Sequence, residues 1–369
     1  MFRVTRLYGI AIVLLVLSFL LVGRTTMAAT TPGCGSWNIV PSPNTPQSWN
    51  ILESVTALSA NDGWAVGYDG GYIGVSEVYQ TLTEHWDGTA WSIVGSPNSQ
   101  QSSYLRGVTA LATNDVWAVG YSTNANGDLR PLTEHWNGST WRIVSAPSPE
   151  KDSGFWSVTT TTSNDVWAVG TTAGNQGLIE HWNGSQWSVV TNPFQGLLLG
   201  VTAVSSNDVW AVGQPNGGQS NIEHWNGSQW SFVQNHAPGL PSGISASSTK
   251  NVWAVGAGSN HKTLTERWKG KRWKQVQSVS PGASVNVLNG VTVISSKNVW
   301  AVGEADATAL IEQWNGKAWQ TVSSPTPGGS SPFYTLLDVT HVPGATQLWA
   351  AGTYDDANGN QYTLIESYC

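Results

Sequence analysis

Seven glutamates recur at one fixed place in this sequence: Glu84, Glu134, Glu180, Glu223, Glu266, Glu312 and Glu366. In four copies a histidine follows, at His85, His135, His181 and His224, while the others have Arg267, Gln313 and Ser367. A carboxylate beside an imidazole holds the groups for acid–base chemistry or for a metal. The spacing argues against both, because neighbouring residues on a strand face opposite sides and do not share a site. A residue repeated in seven symmetric places reads instead as a lattice element, with Glu accepting hydrogen bonds from a Trp N–H or from backbone amides between repeats. Outside the repeat the groups with catalytic chemistry are Asp355, Asp356, His341, Arg106 and Arg130. Asn124-Ala125-Asn126-Gly127-Asp128 and Asp356-Ala357-Asn358-Gly359-Asn360 alternate oxygen-bearing side chains in a way that can hold calcium, but the Asn-Gly in each is explained by a plain turn. No catalytic residue, metal or cofactor is assigned.

The elements that position these residues come from a repeat. Trp-Ala-Val-Gly begins at Trp64, Trp117, Trp167, Trp210, Trp253 and Trp300, with the variant Trp349-Ala350-Ala351-Gly352. Each copy holds four short apolar stretches: A (Val-Thr-Ala-Leu type), B (Val-Trp-Ala-Val-Gly), C (Leu-Ile-Glu-His-Trp) and D (Trp-Ser-Val-Val). Segments such as Trp182-Asn183-Gly184-Ser185 mark a hairpin between C and D, with Asn-Gly taking the positive φ angles of a tight turn. Four antiparallel strands repeated seven times predict an all-β, seven-bladed propeller. The predicted blades are 50–98, 104–148, 155–193, 199–234, 241–279, 288–325 and 336–369 completed by 35–44. Of the 22 Trp, 20 fall at three repeat positions, which suits flat side chains filling the wedge between blades. Asn137, Asn183 and Asn226 match the N-glycosylation pattern, and the turn requirement explains them.

The chain ends fix where the ring closes. The seventh copy stops after strand C, at Thr363-Leu364-Ile365-Glu366-Ser367-Tyr368-Cys369. Its missing strand D is found near the start, at Trp37-Asn38-Ile39-Val40. Aligning Trp37 with Trp187 and Tyr368 with Trp182 puts Cys34 and Cys369 where the C–D hairpin turns in other blades. A Cys34–Cys369 disulfide then replaces the missing peptide link.

Residues 1–29 stand apart. Arg3 and Arg6 precede an uncharged apolar run from Gly9 to Gly23, and small residues follow up to Ala29. This is the layout of a secretory signal peptide, and the run is short for a membrane anchor. The protein is expected to be secreted or held in the cell envelope, where its two cysteines can pair. The chain carries 16 Lys and Arg against 23 Asp and Glu. Losing Arg3, Arg6 and Arg24 leaves 13 basic residues and a net charge of −10, a poor balance for nucleic acid or an anionic membrane.

The scheme resembles kelch-type and WD40-type propellers in its period and in closure by an N-terminal outer strand. The Asn-Asp-Val-Trp-Ala-Val-Gly and His-Trp-Asn-Gly array is similar to tandem repeats in exported bacterial proteins. It departs from kelch in having one Gly after strand B, and from WD40 in lacking the Trp-Asp ending. Copper oxidases of kelch type need a Tyr–Cys cofactor, and both cysteines here lie at the chain ends. The resemblance implies a fold and leaves function to the loops.

The A–B and C–D turns are short and repetitive, so a unique site is expected on the opposite face, among the B–C and D–A loops. The B–C loops are long in blade 1 (68–80), blade 2 (121–131) and blade 7 (353–361), which are neighbours in a closed ring. They carry Tyr72, Tyr79, Arg130, Tyr354, Asp355 and Asp356, while nearby D–A loops add Trp49, Tyr104, Arg106, Phe333 and Tyr334. Trp49 and Trp156 are the two Trp outside the repeat positions. The sequence thus predicts a monomeric binding propeller for a carbohydrate or protein ligand. A glycoside-cleaving or lyase-type enzyme on the same face, and a passive envelope protein, are the alternatives.

Overall fold

The computed structural model describes residues 35–73, 76–99, 101–193, 195–215, 221–235, 238–327 and 332–369. They form 28 strands in seven four-stranded antiparallel sheets, a seven-bladed β-propeller. In blade 1 the strands are A (Trp49–Ser59), B (Asp62–Ile73), C (Ser76–Trp86) and D (Trp91–Ile93), hydrogen-bonded in that order. Blades 2 to 6 repeat the plan.

Blade 7 takes A (Tyr334–His341), B (Leu348–Asp355) and C (Gln361–Tyr368) from the end of the chain and D (Trp37–Val40) from its start. Trp37 stands opposite Tyr368, as Trp187 stands opposite Trp182 in blade 3, so the register expected from the repeat is met. The backbone N–H of Gly35 donates to the carbonyl of Cys369 (2.8 Å), which holds the two chain ends together. Cys34 and the apolar segment lie outside the described residues.

The blades are joined by tryptophan. Trp64 of strand B lies 4.9 Å from Trp136 and 5.1 Å from Trp141, the C and D tryptophans of the next blade. Trp117, Trp167, Trp210, Trp253 and Trp349 make the same three-ring contact with the blade that follows them. At the seam Trp300 meets Tyr368 and Trp37 (4.7 and 5.8 Å). Most of the strand B–strand D contacts are edge-to-face, an arrangement worth about 0.5–1.5 kcal/mol per pair beyond the area it buries.

The histidines on strand C take part in the same joint. His181 lies over Trp167 (4.3 Å) and its Nε2 lies 2.7 Å from Asp165 Oδ1 in the A–B turn. His85, His135 and His224 pair with Asp62, Asp115 and Asp208 in the same way, and Arg267 pairs with Asn251. The adjacent glutamates face the other side and are buried. No Trp N–H donates to them among the described residues, one backbone amide does as expected, and side chains supply the other donors. Ser42 donates to Glu84 (2.8 Å), Asn235 to Glu266 (2.8 Å) and Ser324 to Glu366 (2.7 Å), and the Val279 amide to Glu312 (3.3 Å). These donors follow strand D of the preceding blade, so the contact does bridge blades.

The C–D hairpins also differ in detail. Only the glycine has positive φ, +92° at Gly184, and the Asn183 side chain closes the turn by accepting the amides of Ser185 and Gln186 (3.0 and 3.1 Å). The two-residue turn expected from Asn-Gly needs positive φ at both positions. The loop from Trp182 to Trp187 is longer, and Asn acts through its side chain.

Candidate binding site at the channel mouth

Strand A of every blade lines the axis of the ring, around a cavity of about 300 Å³. Each of these strands bulges against strand B on the channel side, at Glu53, Arg106, Trp156, Leu199, Ser242, Asn289 and Leu337, and in blades 1 to 6 a second irregularity lies near the A–B turn. A bulge leaves one residue unpaired and re-aims its side chain. All seven bulge residues line the cavity. The residue after the bulge is small where neighbouring A strands come closest. A Cβ on Gly243 would stand 2.6 Å from the Asn289 carbonyl. Blades 1 and 7 are tied there by Asp338, which accepts Ser54 Oγ (2.7 Å) and the amides of Val55 and Val339 (3.0 and 2.8 Å). Burial pushes its carboxyl up to about 6, against those hydrogen bonds.

The repeat is symmetric and the channel is not. In blades 1 to 3 the bulge residues are an acid, a base and an indole. Arg106 forms an ion pair with Glu53, and its Nη2 donates to Tyr121 Oη (2.9 Å). Its guanidinium lies 4.9 Å from the Trp156 ring, 5.2 Å from Tyr68 and 5.4 Å from Tyr121. A cation among aromatic faces gains from their quadrupoles, the more so away from water. Burial raises the Glu53 carboxyl, and the Arg106 charge opposes that rise. Burial, with Glu53 next, raises Tyr68, and burial pushes Tyr104 up to about 12. These phenols are therefore neutral hydrogen-bonding groups at any physiological pH.

From this pair an arc of rings runs outward to the loop face. Tyr121 stands 4.8 Å from Tyr104, Tyr104 stands 5.0 Å from Tyr79, and Tyr79 stacks on Trp49 at 5.8 Å. Tyr72, 64% exposed, meets Trp49 edge-on at the outer end. Glu77 accepts both Tyr72 Oη (2.9 Å) and Tyr79 Oη (3.2 Å). The remaining rings of the arc are half-buried, so each keeps part of its surface open.

Of the residues singled out in the sequence, Trp49, Tyr72, Tyr79, Tyr104 and Arg106 are thus brought together. Arg130 stays with its own loop, 3.6 Å from Asp128. Phe333, Tyr334, Tyr354, Asp355 and Asp356 form a second group in blade 7. Tyr354 stacks on Tyr362 (5.3 Å), Tyr362 Oη donates to Asp356 (3.3 Å), the Asp355 amide donates to the Phe333 carbonyl (2.9 Å), and Tyr334 is buried. A bond from the Gln361 amide to the Ser48 carbonyl (2.8 Å) links this group to blade 1. No ring contact joins the two groups among the described residues, and the arc continues into blade 3 instead.

The catalytic candidates do not converge. His341 pairs with Leu348 at one end of its sheet, and Asp355 pairs with Gln361 at the other. Seven strand positions separate those ends, roughly 20 Å. In the two calcium-like loops, Asn124 Oδ1 accepts the amides of Asn126 and Asp128, and Asp356 Oδ1 those of Asn358 and Asn360, at 2.8–3.0 Å. These oxygens close turns.

Sequence reasoning missed Glu53, Tyr68, Glu77 and Tyr121, and did not place Trp156 in the site. A signal was present. A tyrosine follows the Gly of Trp-Ala-Val-Gly only in blades 1 and 2, where other blades have Thr171, Gln214, Ala257, Glu304 and Thr353.

Fold and site together define a β-propeller with a one-sided aromatic channel mouth. The chain is similar in fold to a structure titled "YCF48 bound to D1 peptide", with TM-score 0.61 and 14% identity over 91% of this chain and 96% of that one. U3-55K matches with TM-score 0.60 and 6% identity over 89% and 98%. Raptor from Chaetomium thermophilum matches with TM-score 0.53 and 12% identity over 90% of this chain and 29% of its own. No protein-family model and no curated protein matches the chain. Identities this low carry the propeller fold and nothing finer.

Proposed function

We propose that this protein is a binding propeller that takes a peptide segment of a partner protein across the channel mouth of blades 1 to 3. The observation that carries the reading is the arc from Trp49 to Trp156. It places half-open aromatic faces beside tyrosine hydroxyls, around a paired charge that is already neutralised. Tyr, Trp and Arg are the residues that dominate binding energy at protein interfaces. A propeller of similar fold has been solved with a peptide bound, which agrees with this choice. The stacked Trp49 and Tyr79 rings favour a carbohydrate as second reading. Export through residues 1–29 and a Cys34–Cys369 bond complete the proposal, on the sequence grounds above.

The test is a paired screen of the chain from residue 30 onward against a peptide library and a glycan array, with Trp49→Ala and Tyr104→Ala alongside. Peptide binding weakened tenfold or more in both variants is the expected result. Glycan binding with the same sensitivity would replace peptide by sugar. Wild-type silence, or ligands indifferent to both changes, would remove the site.

A further inference from the structure

The face opposite the aromatic mouth carries the A–B turns and C–D hairpins, and its charge is not evenly shared. Blades 1 to 4 open strand B with Asn-Asp, and the aspartates pair with histidine as described. Blades 5 and 6 have Lys250-Asn251 and Lys297-Asn298 in the same turns. Their hairpins are cationic too. Blade 5 reads Lys269-Gly270-Lys271-Arg272, with Lys274 just beyond, and blade 6 has Lys317. These seven side chains are all exposed, and none forms an ion pair among the described residues. They are seven of the 13 basic residues after position 29.

The patch is continuous. Lys250 lies along the blade 5 hairpin, its Cγ 2.9 Å from where a Cβ on Gly270 would stand. Arg267 Nη2 donates to the Ser296 carbonyl (3.2 Å), which fixes the blade 6 turn bearing Lys297 against blade 5. The turns and hairpins of blades 5, 6 and 7 on this face contain no Asp or Glu. Uncompensated like charges this close repel one another and are relieved by an anionic surface.

A second observation points to the kind of surface. Gly35 enters at the C–D corner of blade 7, on this same face and beside blade 6, held by the Cys369 carbonyl. The apolar run ends at Gly23, and the 11 residues 24–34 that separate it from Gly35 span at most about 40 Å. During the proposed export, before residues 1–29 are removed, the apolar run therefore tethers the ring to the membrane by the side that bears the cations. The turns there are short, two residues between strands A and B and four between C and D in blade 5, so the cations stand on a low face.

We infer that the A–B/C–D face of blades 5 and 6 docks on the headgroups of an anionic lipid bilayer, leaving the aromatic mouth pointing away from the membrane. The net charge of the whole chain had counted against such a partner. The separation of its charges onto different blades removes that objection, because headgroup attraction acts within about a Debye length of each cation.

The test is vesicle flotation of the chain from residue 30, whose seven sheets are complete without the leader. Vesicles of phosphatidylcholine alone and of phosphatidylcholine with phosphatidylglycerol are compared at about 50 mM and about 300 mM salt. Binding to the anionic vesicles only, weakened by salt and at least tenfold by the triple change Lys269→Glu, Lys271→Glu, Arg272→Glu, is expected. Arg142→Glu, an exposed cation of blade 2, should bind as wild type does. Thermal melts of both variants establish that a loss is not misfolding. Wild type unbound at low salt, or the triple variant bound as tightly as wild type, overturns the inference. So does binding to heparin or single-stranded DNA without binding to vesicles. The aromatic-mouth screen reads the opposite face, so either proposal can fail alone.

Discussion

At the residue scale the glutamate ring shows what spacing reveals and what it hides. Adjacent Glu and His on a strand excluded a shared site, and the structure puts them on opposite faces. The donors to Glu could not be read, because Ser42, Asn235 and Ser324 come from the irregular stretch after the preceding blade's strand D. Both carboxylate oxygens of Glu134, Glu180 and Glu223 lack a partner among the described residues. Burial pushes these carboxyls from 4.5 up to about 8. Between those values the folded chain keeps a proton that the unfolded chain has lost, so stability falls as pH rises. The contribution is full below 4.5 and gone above 8. Glu180→Gln holds the neutral shape at every pH. It should leave Tm unchanged near pH 4.5 and raise it at pH 9 by about 3 °C, from on the order of 2 kcal/mol. Calorimetry at both pH values decides this, and an equal shift at each would mean that Glu180 is not protonated in the fold.

At the element scale, the strand A bulge explains both the constant and the variable residues of the repeat. The Gly of Trp-Ala-Val-Gly sits beneath a strand A carbonyl. A Cβ would stand 1.9–2.1 Å from that oxygen at Gly67, Gly120, Gly170, Gly213, Gly256, Gly303 and Gly352. The glycine thus reports a close approach, with no positive φ required. Two residues further along strand A, the bulge turns a side chain into the channel, and there the seven copies diverge. The strands, their order and the loop face were legible, because alternation and turn residues encode them locally. The bulge was not, because an extra residue in one strand looks like ordinary variation until it is set against its partner. Tyr121 reaches Arg106 across the A–B hairpin of their shared blade, but Glu53 and Tyr68 belong to blade 1 and Trp156 to blade 3, and only the ring brings those to Arg106. Gly213→Ala should lower the urea midpoint, by about 3 kcal/mol in stability, since the strand A backbone must shift. Gly95→Ala has open space around its Cβ and should be neutral or slightly stabilising. Equal midpoints for the two variants would refute the bulge as the reason for the glycine.

At the scale of the whole molecule the ring is closed with no peptide link between strands C and D of blade 7. Strand D of blade 7 is four residues long, and beyond it lies the Gly35–Cys369 backbone bond. The Trp300, Tyr368 and Trp37 contact replaces the three-tryptophan joint of the other blades. Opening at this seam exposes Trp37 and parts strand D from strand C of blade 7, leaving Asp338 and Trp349 to hold blade 7 against blade 1. The proposed Cys34–Cys369 bond would act on that step. Cys34 directly precedes the residue that is bonded to the Cys369 carbonyl, and the loop the bond closes is nearly the whole propeller. In the chain-entropy model such a loop is worth roughly 5–6 kcal/mol, less any native strain. Cys34→Ser, Cys369→Ser and the double change should each lower Tm by the same amount, because either one removes the whole effect. Exported wild type, denatured and alkylated without reductant, should take up no label and gain two labels after reduction. Two free thiols before reduction would end the proposal. Additive losses in the double variant would mean that the cysteines stabilise the seam by packing and not by a bond.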